Sequence, residues 1–167
     1  GLMTTFVNVG LNDQLVEAFA SRPETSWAAW DSYRRFLQSW GMANGMERED
    51  FQALMDEHKQ RHNVLYKRDF SPEEMHQLAL NYQQAVRKRG FGMPEDPWLQ
   101  LIGAVDMVLD SWNNPKAQEY RHLMGVSDDW GTAVIVQTMV FGNLSTRSGS
   151  GVLFTAHPYR KVRRVAL

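Results

Sequence analysis

Through the first three-quarters of the chain, apolar and polar positions recur at helical spacing, and local punctuation marks where each run starts and stops. Ser71-Pro72-Glu73-Glu74 combines an N-cap hydroxyl, a proline at the first helical position and a glutamate placed to close a capping box. The helix it opens is expected to reach Lys88 or Arg89 and stop at Gly90, with Arg87, Lys88 and Arg89 facing the negative end of the dipole. Asp96-Pro97 opens another helix, in which Leu101, Val105, Val108, Leu109 and Trp112 keep the spacing of a buried stripe. Asn114-Pro115 opens a third that ends at Gly125. Upstream, residues 13–20, 26–44 and 47–62 read as helices on the same logic. In the second of these, Trp27, Trp30, Tyr33, Arg34, Leu37 and Trp40 recur at helical spacing and read as core, not as a ligand platform.

From Thr132 the period changes. Residues 132–141 are β-branched and continuously apolar, which predicts a buried strand bounded by Gly131 and Gly142. A turn-rich loop follows, and residues 152–155 read as a second strand, so an antiparallel hairpin is expected. A lone hairpin is marginal in water and has to pack on helices or join a larger sheet. The predicted fold class is therefore α+β and predominantly helical: a helical subdomain over 12–125, then a hairpin segment over 130–167. An unpaired strand edge in that segment offers a route to a homodimer.

Composition narrows the class without naming a reaction. The 167 residues are 43% hydrophobic and 22% charged, a globular balance in a chain the size of one domain. The net charge of −1 gives no whole-chain attraction to nucleic acid or anionic lipid. With no cysteine, the chain has no disulfide, thiolate nucleophile or Cys-ligated metal. No apolar run approaches the roughly 18 residues of a membrane helix, and a soluble cytoplasmic domain is expected. The charge is unevenly placed, however. No acidic residue follows Asp129, while Arg147, Arg160, Lys161, Arg163 and Arg164 do. The chain starts at Gly1 with what reads as mid-protein sequence, so it is expected to be a piece of something longer.

The loop between the predicted strands concentrates the candidate chemistry. Asn143-Leu-Ser-Thr-Arg-Ser-Gly-Ser-Gly151 joins small residues, hydroxyls and one cation. Glycines let backbone N–H groups approach an anion, and Arg147 is placed to hold a phosphate. No Gly-Lys-Ser/Thr and no following helix is present, so this is neither a Walker loop nor a dinucleotide fingerprint. An ordinary flexible hairpin loop is the competing reading. His58 and His62 lie four apart on a predicted helix, but their neighbours mark a solvated face and no third ligand is in place, so no metal site is assigned. The other histidines have no triad-like company. The residues by themselves name no reaction.

Longer stretches carry a resemblance. Gly1-Leu-Met-Thr-Thr-Phe-Val-Asn-Val-Gly-Leu-Asn-Asp13 resembles the Gly-Met-Met-Asp-Thr-x-Leu-Asn-Leu-Gly-Leu-Asn-Asp of the pyruvate, phosphate dikinase family, whose N-terminal ATP-grasp domain is shared with phosphoenolpyruvate synthase. Asp31-Ser-Tyr-Arg-Arg-Phe36 is similar to its first-helix signature, and Ser111-Trp-Asn-Asn-Pro-Lys-Ala117 with Tyr120-Arg121 to its Ser-Trp-x-Asn-Pro-Arg-Ala and Tyr-Arg. Most specific are residues 130–143, followed by Ser148-Gly-Ser-Gly-Val152 and Phe154-Thr155. The likeness runs through the whole chain in order.

The resemblance implies a partial ATP-grasp-like nucleotide-binding domain of a phosphotransferase. Such an enzyme moves the β-phosphoryl group of ATP to a histidine on a swivelling domain and then to pyruvate, with Mg2+ clamping the polyphosphate. By that resemblance Gln137, Thr138, Met139 and Val140 line the adenine pocket. Ser148, Gly149, Ser150 and Gly151 form the loop over the phosphates, and Gly1, Met3 and Thr5 lie on the other phosphate-side loop. No catalytic residue and no metal ligand is assigned. The implied partners are a nucleotide and the remainder of the parent chain, its phosphohistidine and pyruvate-binding domains; neither nucleic acid nor a membrane is implied. Departures matter too. Thr4 replaces an acid, Ser150 replaces the threonine of a Gly-Thr-Gly, and Ala156-His157-Pro158 replaces Arg-Asn-Pro. The family's phosphate-holding lysine and arginine and its magnesium-holding acids are also missing, so the segment alone is expected to be inert. The alternatives are a degenerate nucleotide-binding or regulatory module and a helical protein-interaction domain that uses the basic tail.

Overall fold

The computed structural model describes residues 3–145 and 147–156. Six α-helices follow in order: α1 (Asp13–Ala20), α2 (Pro23–Ala43), α3 (Arg48–His62), α4 (Pro72–Lys88), α5 (Pro97–Asp110) and α6 (Pro115–Met124). Single 3-10 turns occupy Lys67–Asp69 and Ser111–Asn113. The ends lie where the caps put them. The Ser71 hydroxyl accepts from the Glu74 N–H at 3.2 Å while the Glu74 carboxylate accepts from the Ser71 N–H at 2.8 Å, a closed capping box. Asp96 accepts from the Trp98 N–H at 2.7 Å, and Gly125 stops α6 in the left-handed region at φ 67°. α2 starts three residues earlier than the spacing predicts, because Pro23 suits a first turn that needs no N–H from it.

α2 is the centre of the molecule and packs chiefly on α4 and α1, with α3 laid on α4. Trp30, Tyr33, Phe36, Leu37 and Trp40 from α2 are buried against Phe51 of α3 and Met75, Leu78, Tyr82 and Val86 of α4. The aromatic stripe is core, as its spacing predicts. α5 is different. Its fully buried residues are Gln100 and Ala104, whereas Leu101, Val105 and Val108 are half-buried and Leu109 is exposed. Gly103 lies where α5 passes over Trp40, and a Cβ there would sit 3.2 Å from the indole.

The segment leading into α1 is tied down by polar side chains. Asn8 adopts φ 59°, and its amide donates to the Ser32 carbonyl at 3.0 Å. Gln100 accepts from the Gly10 N–H at 2.9 Å and donates to the carbonyls of Leu11 at 3.1 Å and Pro94 at 2.7 Å. Asn12 caps α1 by accepting from the Leu15 N–H at 2.7 Å, and it donates to the Glu95 carbonyl at 2.8 Å. Most of the polar residues of the Asn-x-Gly-x-Asn stretch are therefore struts between α1, α2 and α5.

The expected α+β fold with an antiparallel hairpin is not observed. Among the described residues no strand forms; residues 132–141 are extended, and the nearest thing to sheet pairing is an isolated bridge at Phe154. Ile135 and Val140 are 84% and 85% exposed, and Val152, Leu153 and Phe154 are exposed as well. The reason is physical. A run apolar on both faces needs cover on both faces, and a two-stranded ribbon without a packed face does not hold in water. The helices present no such pair of surfaces to it. Among the described residues there is accordingly no strand edge to support the expected homodimer.

Candidate functional site

The glycine-serine loop keeps a closed neck although its flanks are unpaired. A Cβ on Gly142 would meet Ser150 Cβ at 2.8 Å and the Gly149 carbonyl carbon at 3.2 Å, so the two ends of the loop touch and only glycine fits at that point. Within it the Ser148 N–H donates to the Ser145 carbonyl at 3.0 Å, and the Arg147 N–H donates to the Ser145 hydroxyl at 3.2 Å. Ser148 is half-buried, whereas Arg147, Gly149, Ser150 and Gly151 are exposed. The N–H groups of residues 149–151 have no hydrogen-bond acceptor among the described residues. Chemically this is a run of open backbone donors with a guanidinium nearby, an arrangement that suits an anion.

The base of the loop docks on the helices. Phe141 lies against Phe19 of α1 with ring centroids 5.2 Å apart. The Asn143 amide donates to Asp31 Oδ2 of α2 at 3.4 Å. Asp31 is itself buried, its side chain 2% exposed, and its Oδ1 accepts from Arg34 Nη2 and from Lys67 Nζ, each at 2.8 Å. Burial pushes the Asp31 carboxyl up, but Arg34 and Lys67 together outweigh it and hold the group below the usual carboxylate range. Arg34 also lies over the Tyr82 ring at 5.4 Å and Lys67 over Trp27 at 5.3 Å, so aromatic faces fix both cations. Reading the sequence put Arg34 in the core stripe, Asp31 in the first-helix signature and Asn143 in the candidate loop, but it did not connect them and missed Lys67. The available signal was two charged residues, three apart, on an otherwise apolar helix face.

The remaining candidates are dispersed. Gln137, Thr138, Met139 and Val140 are exposed along the extended run. Thr5 is exposed. Met3 lines a cavity of about 170 Å3 with Trp112, Ala117, Tyr120, Arg121 and Val126. Beside it, the Thr4 N–H donates to the Ser111 hydroxyl at 3.0 Å, and Arg121 donates to the Trp112 carbonyl and pairs with Asp128 at 2.7 Å. The Ser-Trp and Tyr-Arg motifs thus brace the first loop against α6. Gly1, Thr146, His157 and the basic residues Arg160, Lys161, Arg163 and Arg164 lie outside the described residues. A second, open groove of about 530 Å3 runs along α4 past Gln77, Asn81, Arg87 and Lys88.

His58 and His62 do share a face, with rings 4.4 Å apart, but both are engaged. His58 Nε2 is 2.8 Å from the Glu74 carbonyl, and His62 Nδ1 is 2.8 Å from the Glu74 carboxylate. Burial pushes the His58 imidazole below its ordinary value, which favours the neutral ring donating to that carbonyl. Among the described residues no three His, Asp or Glu side chains converge as metal ligands. No described helix is long and apolar enough to cross a membrane.

Comparison with known proteins bears on these observations. The family model described as "Pyruvate phosphate dikinase, AMP/ATP-binding domain" matches residues 1–167. Pyruvate, phosphate dikinase of Rhizobium meliloti (strain 1021) is 42% identical over 160 residues, which is 95% of this chain and 18% of that protein. The Clostridium symbiosum enzyme is 40% identical over 161 residues, again 95% and 18%. Pyruvate, phosphate dikinase 1, chloroplastic, of Arabidopsis thaliana is 38% identical over 160 residues, 95% of this chain and 16% of that one. The chain thus spans less than a fifth of the length of these relatives. It belongs to the pyruvate phosphate dikinase AMP/ATP-binding domain family.

Proposed function

We propose that this chain supplies part of the ATP site of a pyruvate, phosphate dikinase-like phosphotransferase and is catalytically inert alone. The observation that carries the reading is the family match over the chain's whole length, and the closed loop with open N–H donors at 149–151 fits it. In this reading the loop of Ser148, Gly149, Ser150 and Gly151 caps the phosphates, residues 149–151 by backbone donation, with Arg147 adding charge. Gln137, Thr138, Met139 and Val140 lie on the extended run whose backbone groups read adenine once the remainder of the parent chain covers it. Gly1, Met3 and Thr5 stand on the opposite side of the phosphates. The parent transfers phosphoryl groups through a histidine to pyruvate, and both the phosphohistidine and pyruvate-binding domains lie outside this chain.

Magnesium, which supplies charge neutralisation in such transfers, does not fit this segment. No acidic residue follows Asp129, and Asp31, the carboxylate that the loop root bonds, is already paired with Arg34 and Lys67. Its ligands belong to residues other than these. Thr4 and Ala156, standing where the family has an acid and an arginine, favour a second reading, a degenerate module that holds nucleotide without catalysis. Calorimetry with Mg-ATP separates the two. A partial site predicts a dissociation constant far weaker than about 10 µM, near 7 kcal/mol, and no transfer of phosphate. Binding tighter than that favours the self-sufficient module, and phosphoryl transfer by the chain overturns the inertness.

A further inference from the structure

We propose that Asn143 is a positioning residue that fastens the root of the glycine-serine loop to the helical body through the second oxygen of the buried Asp31 carboxylate. The two oxygens of Asp31 have separate duties. Oδ1 takes both cations, Arg34 and Lys67, whereas Oδ2 faces the loop and receives the Asn143 amide at 3.4 Å. The carboxylate is buried, so each oxygen needs a donor, and Asn143 reaches it from 112 residues away in the chain. A bond to an ionised acceptor is stronger than a neutral one, and Arg34 and Lys67 keep Asp31 ionised.

The anchor has a clear mechanical consequence. Residues 135–140 are exposed and Gly149 to Gly151 are exposed, but residues 141–144 between them are half-buried. Among the described residues the loop therefore has one attachment to the body, at Phe141 on Phe19 and Asn143 on Asp31, and one closure, at Gly142 against Ser150. Asn143 adjoins the closure, so the bond that holds the root also sets where the open N–H groups of 149–151 are presented. This inference rests on the nucleotide reading for what the loop presents its donors to, but the anchor itself does not depend on it.

Backbone 15N relaxation of the 167-residue chain tests the anchor without ligand. In Asn143→Ala, order parameters across residues 143–145 and 147–149 should fall from the rigid range near ~0.85 to below ~0.6, while those of α2 and α4 stay rigid. The nearly isosteric Asn143→Asp places a carboxylate against Asp31 and should loosen the loop at least as much at pH 7. A purely space-filling role predicts instead that the aspartate leaves it rigid. Unchanged order parameters in either variant overturn the proposal. A second arm adds Mg-ATP and follows the amides of Ser148 and Gly149. Their shift per millimolar nucleotide should drop about tenfold in Asn143→Ala, the size expected for losing one charge-assisted bond. If the wild-type chain shows no shift at all, the nucleotide reading fails while the relaxation data still decide the anchor. If wild type shifts and the variant shifts equally, the positioning role fails while the nucleotide reading stands.

Discussion

Replacing Gln100 by leucine would keep its bulk and strand three backbone groups at once, the Gly10 N–H and the carbonyls of Leu11 and Pro94. Unsatisfied buried groups cost more than the bonds they once made, so Gln100→Leu should lose about 2–4 kcal/mol of stability in urea titration. A neutral result would mean that the first loop is not held by α5. Asp31 makes a different prediction because its charge is involved. Its folded pKa lies below the unfolded value near 3.8, so the stabilisation is complete above that pH and is lost as pH falls through the folded value. Asp31→Asn should therefore cost about 3 kcal/mol at pH 7, the scale of breaking a buried pair, and should converge on wild type only in acid below pH 3.8. A stability difference that stays constant down to acid would contradict the ion-pair account.

At the scale of elements, what was legible in the sequence was what local chemistry decides. Ser71, Asp96 and Gly125 specify helix ends through bonds within one turn, and the starts of α4 and α5 and the end of α6 follow. The α2 stripe was legible because its period is local too. The α5 stripe was misjudged because Gln100, polar by type, is buried by bonds to residues some ninety positions away, which no periodicity records. The strands were misjudged for the converse reason. A β-branched run has the propensity for a strand but takes its hydrogen bonds from a partner, and residues 132–141 find none among the described residues. The loop was legible as a chemical composition, yet its anchor on Asp31 was not. The extended run carries an element-scale prediction: under limited thermolysin digestion the first cut should fall within 132–140, leaving the α1–α6 body intact. First cleavage inside the 3-10 turn at Lys67–Asp69 would contradict this placement.

Viewed as a whole molecule, the chain is a closed helical body with an apolar ribbon laid outside it. Trp98, Leu99 and Ile102 on α5 and Leu123 on α6 add further exposed apolar surface, more than a self-contained domain usually leaves uncovered. This is consistent with a chain that spans less than a fifth of its relatives' length. If the ribbon is free, Ile135→Lys should change the stability of this chain by no more than about 0.5 kcal/mol, as a surface substitution does. A larger loss would mean that the run packs on the body. The central claim, that the extended run and the loop together meet a nucleotide, is tested most directly by mapping amide shifts during a titration with Mg-ATP. The account predicts weak binding, on the order of 1 mM, with shifts gathered at residues 137–140 and 148–151. Shifts confined to the α4 groove around Arg87 and Lys88, or none at saturating nucleotide, would contradict it.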